Sequence, residues 1–202
     1  ERVKNMTRRA IKTSTYIMAP LMVGLAFCAT PIVRLVLTEK WLPCVPYLQI
    51  FCITYMFWPI HTANLNAINA MGRSDYFLKL EIAKKTIGMI LLLSTMRFGV
   101  MVMAYSLLIS SITSQIINSW PNKRLLGYGY LEQLRDIFPS IMTALFMGGC
   151  VNLVKLFGLS DLLTLLIQVP LGAIIYIGLS SLLHLEAYQY LTSIVQSVVS
   201  KK

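Results

Sequence analysis

The chain has 202 residues, of which 56% are hydrophobic and 13% charged, with a mean hydropathy of +0.68, whereas a soluble domain is about 25% charged. That balance excludes an ordinary water-soluble fold. The net charge of +10, which in a soluble chain would point to nucleic acid, becomes here a question of where the cations sit relative to a membrane.

At about 20 residues per spanning helix, the chain has room for six spans joined by short loops, with no soluble domain left over. The expected fold is therefore an all-α integral membrane protein. Its six-span domain covers residues 1–183, with spans near 13–37, 46–71, 76–96, 98–120, 137–157 and 162–183, followed by a cytoplasmic amphipathic tail over 184–202. The chain opens ERVKNM, without a start methionine or a signal-peptide pattern. It is expected to be a fragment.

Arg2, Lys4, Arg8, Arg9 and Lys12 precede the first apolar block. Pro20 and Pro31 should bend that span, which a bundle tolerates because neighbours re-satisfy the freed backbone groups. Arg34, 22 residues after Lys12, lies roughly 33 Å further along a helix and should anchor the opposite interface. In the following loop Trp41 fits an interfacial aromatic.

The second span, 46–71, turns polar towards its end. At about 100° per residue, Thr54, Tyr55, Trp58, His61, Thr62, Asn66 and Asn69 share one face and Asn64 lies off it. Unpaired polar groups in an apolar medium cost roughly 2–7 kcal/mol each, so this face should meet something polar. Two readings stand: hydrogen bonding between helices, or the lining of an aqueous pathway. A single His without a nearby carboxylate excludes a zinc site.

Only 11 residues separate Lys85 from Arg97, too few to cross a core of roughly 30 Å. The third span must therefore start near Tyr76 and carry Lys79, Glu81, Lys84 and Lys85. Lys85 then either snorkels to the headgroups or faces a water-filled vestibule, and Glu81 is placed to offset both Lys84 and Lys85. In the fourth span Ser110, Ser111, Thr113, Ser114, Gln115 and Asn118 read as small and polar packing residues. A basic loop, 121–136, leads to the fifth span, and the sixth is expected to kink at Pro170 and Gly172. The tail places Leu185, Tyr188, Leu191, Ile194, Val195 and Val198 at helical spacing, as a surface helix would.

With both ends in the cytoplasm, 14 of the 18 basic residues fall on that side, leaving Arg34, Lys40, Arg97 and Lys155 opposite. The positive-inside rule favours that orientation. No metalloprotease, nucleophile-elbow or phosphate-loop motif is present, and no carboxylates pair within a span, so an enzyme is not expected. Cys28, Cys44, Cys52 and Cys150 lack C-x-x-C spacing and read as inert thiols. No metal or cofactor is expected.

LTEKW at 37–41, PYLQI at 46–50, NAMGRSDYFLKLEIAKK at 69–85 and WPNKRLLGYGYLEQLRD at 120–136 resemble the C-terminal part of bacterial O-antigen and exopolysaccharide flippases. These belong to the multidrug, oligosaccharidyl-lipid and polysaccharide exporter superfamily. A glycine is common in that family where Thr38 stands. The resemblance implies the second lobe of a two-lobed transporter in the bacterial inner membrane, moving undecaprenyl-diphosphate-linked oligosaccharide by alternating access around a cationic cavity. Its partners would be the lipid-linked oligosaccharide, membrane lipid and the N-terminal lobe, and not nucleic acid. In this sequence Arg73, Lys84 and Lys85 suit the diphosphate, and Trp58, His61, Asn66 and Asn69 suit the glycan. A multidrug or cation antiporter of the same superfamily, or a membrane glycosyltransferase, is the alternative.

Overall fold

The computed structural model describes residues 1–199, which are helical throughout apart from short turns. The helices are α1 (Arg2–Phe27), α2 (Ala29–Leu37), α3 (Val45–Met56), α4 (Trp58–Ala70), α5 (Ser74–Thr95), α6 (Val100–Leu126), α7 (Tyr130–Leu153), α8 (Asp161–Leu182) and α9 (Glu186–Val199). Lys201 and Lys202, two of the basic residues expected on the cytoplasmic side, lie outside the described residues.

Among the described residues four stretches, not six, are long and apolar enough to cross a membrane: Arg2–Phe27, Val100–Leu126, Tyr130–Phe157 and Asp161–Leu182. The first expected span, 13–37, is instead two helices. α1 starts eleven residues earlier, inside the basic segment, and stops at Cys28. The second, 46–71, is likewise divided at Phe57 into helices of 12 and 13 residues, each shorter than the roughly 20 residues a crossing needs. Proline accounts for both breaks. Pro31 lies in the first turn of α2 and Pro59 in the first turn of α4, where a missing N–H costs nothing but the preceding helix cannot continue unbroken. The third expected span exists as the 22-residue α5, but every long window of it carries Lys79, Glu81, Lys84 and Lys85. The expected loop 121–136 shrinks to a turn at 127–129, because α6 continues through Pro121 and α7 begins at Tyr130.

α1 is the central post, packed most extensively on α7 and also on α3, α4, α8 and α9. Its contact with α7 is close because Gly148 stands opposite Val23 and Phe27; a Cβ there would lie 2.6 Å from either side chain. Ile11, Ala19 and Val23 of α1 meet Ile137, Ala144, Met147 and Val151 of α7 in the buried core. The carbonyls that proline leaves free are captured from a distance. Tyr176 Oη of α8 donates at 2.8 Å to the Tyr16 carbonyl, four residues before Pro20, and Lys155 Nζ donates at 2.7 Å to the Phe27 carbonyl, four residues before Pro31. Gln168, buried on α8, closes the end of α7 by donating to the Val151 carbonyl at 3.0 Å. It also accepts from Cys28 Sγ at 3.2 Å.

The charged contacts that tie α1 and α2 to the C-terminal half of the chain separate into two ends. Lys155 reaches the end of α1 where Arg34 pairs with Asp161 at 3.1 Å. At the other end Lys4 donates to the Gly127 carbonyl at 2.9 Å, Arg8 pairs with Asp136 and Lys12 with Glu186, both at 2.6 Å. α9 lies along this second end. Leu185 just before it, with its own Tyr188 and Leu191, packs on the core, while Ile194 and Val195 stay exposed.

α2 ends at Thr38, whose φ of 76° and ψ of 167° lie in a region essentially reserved for glycine. The position where the resembled family commonly has glycine is thus one whose backbone favours it. Thr38→Gly should raise unfolding stability by about 1 kcal/mol, since such strain costs of order 1–3 kcal/mol. Denaturant titration in micelles checks this; a destabilised variant would contradict it.

Candidate functional site

The polar residues of α4, α6 and α7 converge on one buried point, Asn64. Its side-chain amide exchanges hydrogen bonds with that of Gln133: Asn64 Nδ2 donates to Gln133 Oε1 at 2.8 Å and Gln133 Nε2 donates to Asn64 Oδ1 at 2.9 Å. Asn122 Nδ2 donates to the same Asn64 oxygen at 2.6 Å, and Ser119 Oγ bridges to Gln133 at 3.1 Å. Asn64, Asn122 and Gln133 are fully buried. The network reaches α1: Gln133 Nε2 donates to the Tyr128 carbonyl, and Tyr128 Oη donates at 2.7 Å to Asp136, the partner of Arg8. Burial, then the hydrogen bond to the Asp136 carboxylate, holds the Tyr128 phenol well above its usual range, so it remains a donor.

One turn before Asn64, His61 looks outward. Its Nδ1 is 2.8 Å from Nδ2 of the fully buried Asn118 on α6, and its ring stacks on Trp58 with centroids 4.9 Å apart. Trp58 in turn meets Tyr55 at 5.8 Å. These three rings form one wall of an open cavity of about 200 Å³, and Ser110, Ser111 and Ser114 of α6 form the facing wall. Tyr55 and Trp58 are 48% and 46% exposed. A half-exposed aromatic shelf opposite hydroxyls can hold a ligand with both apolar and hydroxylated faces.

α5 flanks this cavity by packing on α6, where a Cβ at Gly88 would lie 3.3 Å from Ser110 Oγ. Lys84, 7% exposed, turns inward and pairs with Glu81. Lys85 is exposed.

The structure therefore brings Trp58 and His61 to the cavity, places Lys84 buried on the flanking α5 but not in the cavity lining, and leaves the other expected site residues outside it. Asn66 and Asn69 are exposed and line no part of the cavity. Arg73 sits in the exposed turn before α5, bonded to Asp75 at 3.3 Å and stacked on Tyr76 at 4.6 Å. Its guanidinium, chiefly through that hydrogen bond, holds the Asp75 carboxyl below its usual range. The residues of the second span divide between a buried network and an open cavity. Asn64, expected off the span's polar face, does the bonding between helices, and His61 with Trp58 and Tyr55 lines the cavity. Ser110, Ser111 and Ser114, expected to be packing residues, are cavity walls, and Asn118 positions His61. Their spacing was the available signal, since 110, 114, 118 and 122 are successive i, i+4 positions on α6. Cys28 and Cys52 are buried, Cys44 and Cys150 half-buried, and all four are free.

Residues 1–46 match a family model described as "Polysaccharide biosynthesis protein". The matched segment comprises α1, α2 and the turn into α3. No curated protein and no solved structure matches the chain. The match supports a role in polysaccharide biosynthesis, and together with four apolar helices of crossing length it supports a membrane protein.

Asn64→Leu keeps the branched shape but removes one side-chain partner or more from each of Gln133, Ser119 and Asn122. It should cost about 2 kcal/mol, against roughly 0.6 for an average interhelical hydrogen bond in a membrane. Unfolding in mixed micelles measures this, and a loss at or below that average would show the network to be dispensable.

Proposed function

We propose that this chain is a lobe of a transporter that flips undecaprenyl-diphosphate-linked oligosaccharide across the bacterial inner membrane. Alternating access would move the substrate from the cytoplasmic to the periplasmic side, with both ends of the chain cytoplasmic. The observation that carries this reading is the shelf of Tyr55, Trp58 and His61 opposite Ser110, Ser111 and Ser114. Sugar rings present C–H faces and hydroxyl edges together, and an aromatic wall facing hydroxyls is complementary to both. The family match over 1–46 favours a saccharide over other amphipathic cargo.

In this reading the cavity binds and no bond is broken. His61 is oriented by an amide, Asn118, and not by a carboxylate, which suits a hydrogen-bonding contact better than a general base. Lys84, buried on the α5 that flanks the cavity and paired with Glu81, is the cation assigned to the phosphate. With Glu81 as its resting partner, it exchanges that carboxylate for a phosphate when the substrate arrives. The Glu81 pair avoids leaving a free lysine at membrane depth between substrates, and the displaced Glu81 carboxylate, 27% exposed, turns to water when the phosphate replaces it. The antiporter alternative needs a free acid in the cavity, whereas Glu81, the acid beside it, is bonded to Lys84.

Two substitutions separate the roles in cells that depend on this protein for surface glycan. Trp58→Ala should reduce export about two- to tenfold, by removal of a stacking face worth of order 0.5–1.5 kcal/mol, with the protein still present in the membrane. Lys84→Gln should impair export and Lys85→Gln should not, read as surface polysaccharide per folded protein. Equal export by Lys84→Gln and wild type would refute the phosphate role, and normal export by Trp58→Ala would refute the shelf.

A further inference from the structure

A second cavity, of about 390 Å³, opens between the N-terminal half of α1 and the tail helix α9. Its α1 wall is Asn5, Arg8, Arg9, Lys12 and Thr13, and Tyr190 and Glu186 face them from α9. Three cations meet here, and they are incompletely used. Arg8 gives Nη2 to Asp136, but its Nε is buried and has no partner. Arg9 stacks on the Tyr190 ring at 4.7 Å and has no acidic partner among the described residues. Lys12 is shared between Glu186 at 2.6 Å and Asp136 at 3.4 Å. Thr13 Oγ1 is buried and likewise unpartnered.

Two arginines with an unspent N–H and an orphaned hydroxyl around one concavity are donors awaiting an oxyanion. The charge count limits which one. Arg8, Arg9 and Lys12 face two carboxylates, Asp136 and Glu186, leaving one positive charge in surplus, which a single negative charge balances and a dianion overshoots. Location limits it further. The cavity lies at the end of α1 where the basic residues gather, and the exposed Ile194 and Val195 of α9 provide apolar surface nearby. Anionic lipid is attracted to such juxtamembrane cations by about 1 kcal/mol per residue.

We propose that this cavity binds the phosphodiester headgroup of an anionic phospholipid. The headgroup contacts α1 and α9 together and clamps the tail helix to the bundle. The proposal is independent of the transport reading, since none of its residues lines the aromatic cavity.

The test uses the full chain purified in a neutral detergent, with dihexanoyl-phosphatidylglycerol, dihexanoyl-phosphatidylcholine and inorganic phosphate as probes, and binding read by native mass spectrometry and by the thermal unfolding midpoint. Phosphatidylglycerol should bind one per chain and raise the midpoint, while phosphatidylcholine and phosphate should do neither at the same concentration. R9Q should weaken the phosphatidylglycerol affinity about fivefold, whereas R2Q, an equal charge loss outside the cavity, should change it less than twofold. Should R9Q misfold, T13V, which leaves the charge unchanged, should weaken it about threefold. Equal binding of both lipids, equal effects of R9Q and R2Q, or no effect of T13V would overturn the site. Phosphate alone competing as well as phosphatidylglycerol would overturn the lipid as its ligand.

Discussion

The reciprocal amide bonds between Asn64 and Gln133 are the constraint from which the rest of the site follows. In an apolar bundle, helices slide and rotate against one another at little cost, because lipid solvates leucine as well as a neighbouring helix does. A buried amide pair removes that freedom, since any shift of register leaves donors and acceptors unpaired in a medium that cannot replace them. With Asn122 and Ser119 joined to it, the pair fixes α4 against α6 and α7 together. His61, one turn away on α4, and Asn118, one turn away on α6, are thereby brought to 2.8 Å. The aromatic shelf is held in place by these bonds, even though the buried Asn118 Oδ1 and Asn122 Oδ1 find no partner among the described residues.

The same accounting of polar groups explains why α1 can be the central post despite its breaks. Pro20 and Pro31 each free a carbonyl, and in hydrocarbon such a group needs a partner. Tyr176 and Lys155 supply them from α8 and from the turn after α7. The prolines thus create the sites at which distant elements are tied to α1. A bundle built this way is specified by a few directed bonds more than by its apolar surface, much of which remains exposed on α5, α6 and α8.

The all-helical, apolar character and the polarity of the second span were legible in the sequence, because composition and spacing depend on chemistry that needs no tertiary partner. Facing was not. Spacing places Asn64 off the face shared by Trp58, His61, Thr62, Asn66 and Asn69, and on the unbroken α4 it is indeed off it. What spacing does not give is that Asn64 turns into the bundle while Asn66 and Asn69 stay exposed. Lys84 and Lys85, adjacent in sequence and about 100° apart on the helix, could not be told apart by spacing; the packing of α5 on α6 at Gly88 and Ser110 decides which turns inward. Thr38 is the converse example. The glycine common at that position in the resembled family signals a backbone of positive φ, and Thr38 adopts one at 76°.

The central claim is that the shelf is wet and occupied by substrate while the network behind it is dry. Single cysteines at Tyr55, Ser114 and Ile60, each in a background from which the four native cysteines have been removed, test it with a water-soluble maleimide in membrane vesicles. The account predicts labelling at 55 and 114, protection of both by added lipid-linked oligosaccharide, and no labelling at the fully buried position 60. Protection at all three positions without added substrate, or labelling at 55 and 114 that the substrate leaves unchanged, would contradict it.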